Sequence, residues 1–330
     1  MSAIFDALPG LEVPVGEISS RLAGWWAVSA ADGRPAPAAE DAKATQVNVV
    51  LHFGLNANPE DAAEQFQVVV RFAHRYPGRI VVLCPLRGGD TGEIAMRAKI
   101  YGECYLGKSK SDKRCVEFVM LCYTQAARRF LENQVSICLS TDLPLYYWAH
   151  RFTANSRLAD YSFLLSRAKR VLIDSSVAPE GILTYPWPNP KSLRDLVYSR
   201  LLPVRQTIGQ FLASYPPAGL RSGLREVIVA HEPALAAEAR VLVAWFERRI
   251  AECGAEGGVN FRTAALDGDD AGSLAVRFLY ADPARHFFWT GNLATKVAAF
   301  EADLGSGQTT LPAAVSLLAP EVALAEAMFF

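Results

Sequence analysis

The sequence predicts an α/β fold made of two α/β domains, or of one α/β domain and one α+β domain, with mainly parallel or mixed sheets covered by helices. The chain has 330 residues, which is about the length of two domains. Apolar residues make up 51% of it and charged residues 20%, so a large core can form and an intrinsically disordered chain is excluded. Strand and helix patterns alternate from residue 45 onward, and the near-continuous apolar runs indicate strands buried on both faces.

The first predicted domain, residues 45–177, begins with a β-α-β unit. Two apolar runs, TQVNVVLHF and RIVVLCP, flank a helical pattern that opens at Pro59, where proline suits the first turn. Further strands are predicted at 94–105, 116–123, 135–139, 145–148 and 171–174, and helices at 125–133 and 156–168. The order of these elements predicts one sheet with helices on its faces.

The remaining segments are assigned by composition. Residues 178–190 hold four prolines and a glycine, which predicts a linker between the domains. The second domain, 191–330, is predicted to be α/β or α+β, with helices at 192–215 and 233–252. Residues 1–44 are predicted to be an N-terminal arm and linker, whose helix carries Trp25 and Trp26 and docks either on its own domain or on a partner.

Charge and cysteine content restrict the partners and the compartment. Lys and Arg number 33 against 34 Asp and Glu, so no overall field favours nucleic acid or an anionic membrane. The N-terminal residues lack the basic start of a signal peptide, and prolines and glutamates interrupt the last apolar stretch, so we expect a cytoplasmic protein without a transmembrane segment. The six cysteines are expected to be reduced, and the five scattered histidines predict no metal site.

One motif points to nucleotide chemistry. Residues 102–109, GECYLGKS, match the phosphate-binding loop formula GxxxxGK[ST]. In that role Gly107, Lys108 and Ser109 would hold phosphates, and Asp174, at the end of the run VLID, would associate with magnesium. The chemistry needs a helix that begins at the Lys-Ser pair, whereas residues 116–123 predict a strand, so a hairpin with a basic tip explains the segment better. A nucleotide-binding enzyme remains the alternative function.

No other catalytic pattern occurs in the sequence. No serine lies in a GxSxG turn and no cysteine has a nearby histidine, so no catalytic residue and no cofactor is predicted. The triplet Asp174-Ser175-Ser176 lies at the end of a strand, where α/β proteins place ligands, but it equally suits a turn or a helix cap. These observations favour a protein without an enzymatic activity of its own.

Several short motifs then occur in a characteristic order: YPGR before a strand, CVE within a strand, a DLP turn, an aromatic YW strand and a strand that ends in DS. They lie at 76–79, 115–117, 142–144, 147–148 and 174–175. Together they resemble the N-terminal domain of the OpcA family, which is named for the assembly of glucose-6-phosphate dehydrogenase. Residues 195–205, DLVYSRLLPVR, are similar to that family's D-L-x-W-T-R-L-x-P-W-R helix, with Tyr198 and Val204 at the usual tryptophan positions. The likeness spans about residues 45–205.

The resemblance implies a non-catalytic assembly or allosteric subunit that binds glucose-6-phosphate dehydrogenase, at the entry to the oxidative pentose phosphate pathway. Whether a sugar phosphate also binds is left open. Arginine beside aromatic side chains is typical of protein interfaces. The candidate partner contacts are therefore Tyr198, Arg200, Pro203, Arg205 and Asp174. The alternative is that the apolar residues of this helix face their own core and that Arg200 pairs with an internal acid.

Overall fold

The structure is a computed structural model that describes residues 3–31, 46–86, 95–106, 113–254, 258–266 and 272–330. The chain forms two compact units, of which the first comprises Met1–Leu196 with Leu324–Phe330 and the second comprises Val197–Ala323. Each unit has a sheet covered by helices, which confirms the predicted α/β class. Within the described ranges, no helix is long and apolar enough to cross a membrane.

The first unit combines one large sheet with helices on both of its faces. Its helices are α1 (Ala3–Ala7), α2 (Ile18–Ala31), α3 (Pro59–Arg75), α4 (Leu131–Cys138), α5 (Ser156–Ala159) and α6 (Ser162–Arg167). Its strands are β1 (Leu11–Val13), β2 (Val47–Phe53), β3 (Gly78–Pro85), β4 (Met96–Leu106), β5 (Lys113–Tyr123), β6 (Leu145–His150), β7 (Arg170–Ile173) and β8 (Leu193–Asp195).

The strand order of this sheet is β1-β4-β5-β3-β2-β6-β7-β8. The six strands from β5 to β8 in that order are all parallel, and β4 and β1 extend the sheet by antiparallel pairing. The parallel part has the 3-2-1-4-5-6 order of the doubly wound dinucleotide-binding fold. The chain builds the sheet outward in both directions from β2, so a switch point lies between β2 and β6.

Successive side chains of β2 point alternately into two cores, one on each face of the sheet. Val49, Leu51 and Phe53 belong to the core that α1 and α3 cover, which also includes buried residues of the C-terminal segment. Val50 belongs to the opposite core, beneath α2, α4 and α6. Successive strand residues point to opposite faces, so His52 lies on the same face as Val50. The N-terminal helix α2 thus docks on its own unit.

Two sequence predictions need correction. Residues 135–139 are mostly helical and not a strand, because Leu131, Val135 and Cys138 bury one helical face, and a short apolar run does not distinguish the two structures. The segment 178–190 is not a linker between the units: Ile182 and Trp187 are buried in the first unit, and the chain passes to the second unit only after residue 196. Apolar anchors among the prolines explain why this segment packs.

The second unit places helices against a six-stranded sheet of order β10-β9-β11-β12-β13-β14. Only β9 and β10 are parallel in it, so it matches the α+β alternative. Its strands are β9 (Leu224–His231), β10 (Asn260–Ala265), β11 (Ser273–Tyr280), β12 (His286–Asn292), β13 (Val297–Asp303) and β14 (Thr309–Ala314). The later helices are α7 (Leu196–Arg200), α8 (Leu202–Leu212), α9 (Pro217–Arg221), α10 (Ala236–Glu252) and α11 (Pro320–Phe329).

Candidate functional site

Four predicted partner contacts lie on α7 and α8, and their side chains serve the second unit itself. Arg200 donates from Nε to Oε1 of Glu238 at 2.8 Å, and Glu238 is buried on α10. Arg205 is also buried, with its guanidinium carbon 3.6 Å from the ring centroid of Tyr198. Tyr198 and Pro203 are half-buried. The internal-acid alternative therefore describes Arg200 better than a partner contact does.

The fifth candidate, Asp174, follows β7 at the carboxyl edge of the parallel strands. Its carboxylate accepts a hydrogen bond from the backbone N–H of Ser176 at 3.0 Å and another from the Ser176 hydroxyl. The neighbouring Ser175 hydroxyl donates to Asp195 at 2.6 Å, which ties this turn to the end of β8. Asp174 thus organises a turn, as its sequence context allowed.

The first five residues of the phosphate-binding loop match, 102–106, lie within β4. Gly107, Lys108 and Ser109 lie outside the described residues. The flanking strands pair antiparallel up to Leu106 opposite Lys113, so three residues separate Ser109 from a strand, less than one helical turn. This junction lies at the amino edge of the parallel strands, whereas Asp174 lies at the carboxyl edge. A nucleotide-binding enzyme would need Lys108 and Asp174 near the same phosphates.

The β4–β5 pair also holds a disulfide. Cys104 and Cys115 are directly opposite each other in the register and are bonded. The expectation that all six cysteines are reduced is wrong for these two, because strand pairing brings together residues that are 11 positions apart in sequence. The other four cysteines are not in disulfides, and Cys84, Cys122 and Cys138 are buried.

A cleft of about 630 Å³ opens at the carboxyl edge of the first unit's sheet. We call it the switch-point cleft, because its walls come from the ends of β2 and β3, from the residues that follow β5 and β6, and from α5. Its lining includes Asn56, Leu86, Gln125, Phe152, Arg157 and Tyr161. Doubly wound sheets bind ligands at this position, and ligand sites commonly have volumes of about 300–1,000 Å³. The cleft is therefore the best candidate site in the described part of the chain.

A buried hydrogen-bonded chain lies behind one wall of the switch-point cleft. His52 Nδ1 lies 2.9 Å from the Tyr147 hydroxyl, and its Nε2 lies 2.7 Å from the Tyr123 hydroxyl. The Tyr123 hydroxyl lies 2.7 Å from that of Tyr161, which lines the cleft. Burial lowers the pKa of His52 to about 3 and raises that of Tyr123 and Tyr147, so the imidazole is neutral and both phenols keep their protons.

The direction of this chain follows from the neutral imidazole, which donates from one nitrogen and accepts at the other. When Tyr147 donates to His52, the imidazole donates to Tyr123 and Tyr123 donates to Tyr161, which leaves the Tyr161 hydrogen at the cleft wall. The reverse direction leaves the hydroxyl hydrogen of Tyr147 inside the core. Among the described residues, His52 is the sole hydrogen-bond partner of that hydroxyl. An unsatisfied buried donor costs about 1–3 kcal/mol, so the first direction is favoured.

The loop after β2 departs from the dinucleotide fingerprint G-x-G-x-x-G. Gly54 occupies the first position, where a Cβ atom would lie 2.1 Å from the Arg151 carbonyl oxygen, so only glycine fits. The second and third glycine positions hold Asn56 and Pro59. The side chain at position 56 and the ring at position 59 replace the glycines that let a pyrophosphate approach the backbone. The cleft therefore lacks a dinucleotide cradle.

The first turn of α3 is already satisfied by the protein. The Asn58 side chain accepts a hydrogen bond from the Asp61 backbone N–H at 2.8 Å, which caps the helix. Burial raises the pKa of Asp61, but a hydrogen bond to His150 Nε2 at 2.9 Å and the Arg151 charge outweigh this, so the pKa lies below its usual value. Asp61 is thus a paired carboxylate.

Three charged side chains stand at the other side of the cleft. Asp160 forms an ion pair with Arg128, and Arg157 Nη1 lies 3.9 Å from the same carboxylate. The Arg157 side chain is 55% exposed and lines the cleft. Arg128 already neutralises Asp160, so Arg157 leaves the three groups with a net charge of plus one. The described residues include no cluster of three or more His, Cys, Asp or Glu side chains placed to hold a metal ion.

Sequence reasoning did not identify this cleft. No motif marks it, because its residues come from five separate strand ends and loops. The available signal was a polar residue, His52, within the apolar run VNVVLHF, together with Tyr123 and Tyr147 in other buried strands. Their pairing depends on the parallel register of β2 with β6 and on the position of β5, which a single sequence does not reveal.

No family model and no curated protein matches the sequence. Among solved structures, the chain is similar to a dipicolinate-bound dihydrodipicolinate reductase from Paenisporosarcina sp. TG-14, with a TM-score of 0.36 and 12% identity. That match covers 86% of this chain and 93% of the reductase chain. A similarity of this strength supports no conclusion about activity.

Proposed function

We propose that this protein is a non-catalytic subunit that binds glucose-6-phosphate dehydrogenase and modulates its assembly or activity. The proposal rests on the resemblance of residues 45–205 to the OpcA family. The observation that carries it is that motif residues from separate segments contact one another in the first unit.

The YPGR and CVE motifs meet through an ion pair on neighbouring strands. Arg79 Nη2 lies 2.6 Å from Oε2 of Glu117, and Arg79 Nε donates to the same oxygen at 3.0 Å. The other oxygen, Oε1, accepts a hydrogen bond from Trp26 Nε1 at 2.9 Å. Glu117 therefore links the sheet to the N-terminal helix, which supports treating the two motifs as one structural signature.

Two further motifs are held by hydrogen bonds within the first unit, and one of these bonds joins two motifs. Asn48, buried on β2, donates to the carbonyls of Ser140 and Leu143 at 2.7 and 3.2 Å, and so fixes the turn that contains the DLP motif. Ser175 of the DS motif bonds Asp195, the first residue of the DLVYSR motif. These contacts give each motif a structural role within one fold.

The absence of a catalytic activity is part of the same proposal. Both ring nitrogens of His52 are engaged by tyrosine hydroxyls, and the neutral imidazole does not titrate near pH 7. His150 binds Asp61 through Nε2, and this buried histidine is not among the residues that line the switch-point cleft. The imidazole of His52 is therefore not poised as a general acid or base, and that of His150 is not placed to exchange a proton with a ligand in the cleft.

The test is to mix the full chain with glucose-6-phosphate dehydrogenase from the same organism. We expect co-elution in size-exclusion chromatography and a change of about fivefold or more in KM or kcat, the scale of a typical allosteric coupling. An unrelated NADP-dependent dehydrogenase is the control and should show neither effect. Separate elution together with unchanged KM and kcat would refute the proposal.

The nucleotide-binding alternative is tested separately by calorimetry with ATP and GTP in the presence of magnesium. We expect no binding heat. Micromolar binding that Lys108→Ala abolishes would favour the enzyme alternative over the proposed function.

A further inference from the structure

We propose that the switch-point cleft binds a small phosphate monoester, whose phosphate pairs with Arg157 and accepts a hydrogen bond from the Tyr161 hydroxyl. This inference concerns the chain alone and does not depend on the dehydrogenase as partner. It rests on the position and volume of the cleft, on a cation at one side of it, and on a hydroxyl donor in its wall.

The charge balance favours an anion. Arg128 pairs with Asp160, so the more exposed Arg157 supplies the positive charge that this side of the cleft presents. A guanidinium group binds phosphate oxygens through two parallel N–H donors. Its long, mobile side chain can leave Asp160 at 3.9 Å for a stronger partner without breaking the Arg128 pair.

The buried chain from Tyr147 through His52 and Tyr123 orients the second donor. Tyr161 lines the cleft, is 5% exposed and receives the Tyr123 hydrogen bond, so its own hydrogen is left for another acceptor. The phenol is held by its neighbours before any ligand arrives, which reduces the entropy lost on binding. A phosphate monoester has three terminal oxygens and can accept from both donors at once.

The remaining walls limit the ligand's size and character. Asn56 and Pro59 take the place of the fingerprint glycines, so a dinucleotide pyrophosphate is excluded from the backbone of this loop. Leu86 and Phe152 give the cleft apolar surface, and Gln125 adds an amide at the mouth. A sugar ring or a nucleoside, with both apolar faces and hydroxyls, suits this lining. Glucose 6-phosphate and AMP represent these two sources of the same phosphate chemistry.

The experiment is isothermal titration calorimetry of the full chain with glucose 6-phosphate, with AMP, and with glucose as the control without phosphate. We expect saturable binding of at least one phosphate monoester with a Kd below about 1 mM, and no binding of glucose. Arg157→Ala should weaken that binding about tenfold or more, and Tyr161→Phe about three- to tenfold, which are the losses of a charged and a neutral hydrogen bond.

Arg167→Ala is the matched charge control, because Arg167 is exposed on α6 and bonds Ser136 outside the cleft lining. It should change the Kd by less than about twofold. Unchanged melting temperatures show that each variant is folded. The proposal is overturned when neither phosphate monoester binds the native chain, when glucose binds equally well, or when Arg157→Ala and Arg167→Ala have the same effect. Selective binding of glucose 6-phosphate or of AMP identifies the source.

Discussion

Replacing Arg200 with alanine removes the cation from an ion pair inside the second unit. The Arg200 side chain is 19% exposed and that of Glu238 is 5% exposed. Arg200 donates to Glu238 Oε1 through Nε at 2.8 Å and through Nη2 at 2.7 Å. The substitution leaves the carboxylate of Glu238 buried without its cation, on the face of α10 that packs against the sheet.

The expected loss of stability is about 3 kcal/mol, at the lower end of the range for breaking a buried ion pair, because Arg200 keeps some contact with water. For a unit of this size, such a loss lowers the melting temperature by about 10 °C. The double variant Arg200→Leu with Glu238→Leu should recover most of the stability, since it removes both charges together. Arg225→Ala, at an exposed position of β9, should change the stability by less than about 0.5 kcal/mol.

The assay is urea unfolding of the three variants followed by circular dichroism, with co-elution with glucose-6-phosphate dehydrogenase measured in parallel. A partner contact makes the opposite prediction: the melting temperature stays the same and co-elution weakens. An Arg200→Ala protein with native stability and impaired partner binding would refute the assignment of this arginine to the core.

Three further predictions follow from the first unit. Serine at both Cys104 and Cys115 should cost about 3 kcal/mol, because the disulfide closes a short loop. Alkylation of all six cysteines after denaturation without a reductant would contradict this bond. Between pH 7 and pH 5, His52 should lower the free energy of unfolding by about 2 kcal/mol, because its folded pKa is about 3 and only the unfolded chain gains the proton. In urea titrations, the free energy of unfolding of His52→Gln should depend less on pH than that of the native protein. An equal pH dependence in the two proteins would refute this prediction. Asn48→Ala should cost about 2 kcal/mol, since it removes the hydrogen bonds to the half-buried Ser140 and Leu143 carbonyls. A loss under about 1 kcal/mol in chemical denaturation would contradict this prediction.

Elements of the first unit were predictable where a single strand or helix carries a regular pattern of apolar residues. The run VNVVLHF and the proline-started helix after it predicted β2 and α3, and the parallel β-α-β unit followed from them. The boundary between the units was not predictable in the same way. Prolines in 178–190 mark a chain without regular hydrogen bonding, but Ile182 and Trp187 decide whether that chain packs, and burial depends on neighbours distant in sequence.

The candidate site was less predictable than the fold. Arginine beside tyrosine occurs both in protein interfaces and in protein cores, so composition does not distinguish the two. In the structure, α7 and α8 place Arg205 over Tyr198 within their own unit. The switch-point cleft carries no motif, since its lining comes from several segments that are distant from one another in the sequence. Strand order alone places a site at the carboxyl edge of the sheet. Which hydrogen-bond donors lie at that site depends on how the strands are aligned with one another.

The two proposals are connected by thermodynamic linkage. The motif residues Arg79 and Glu117 form an ion pair in the first unit, and the switch-point cleft lies in that same unit. A phosphate monoester that changes the affinity of this protein for the dehydrogenase by some factor must have its own affinity changed by the same factor when the dehydrogenase is bound. The ratio of the Kd values from titrations of the ligand into the free protein and into the complex therefore measures this coupling factor. Equal Kd values in the two titrations mean that the cleft, although occupied, does not regulate the partner.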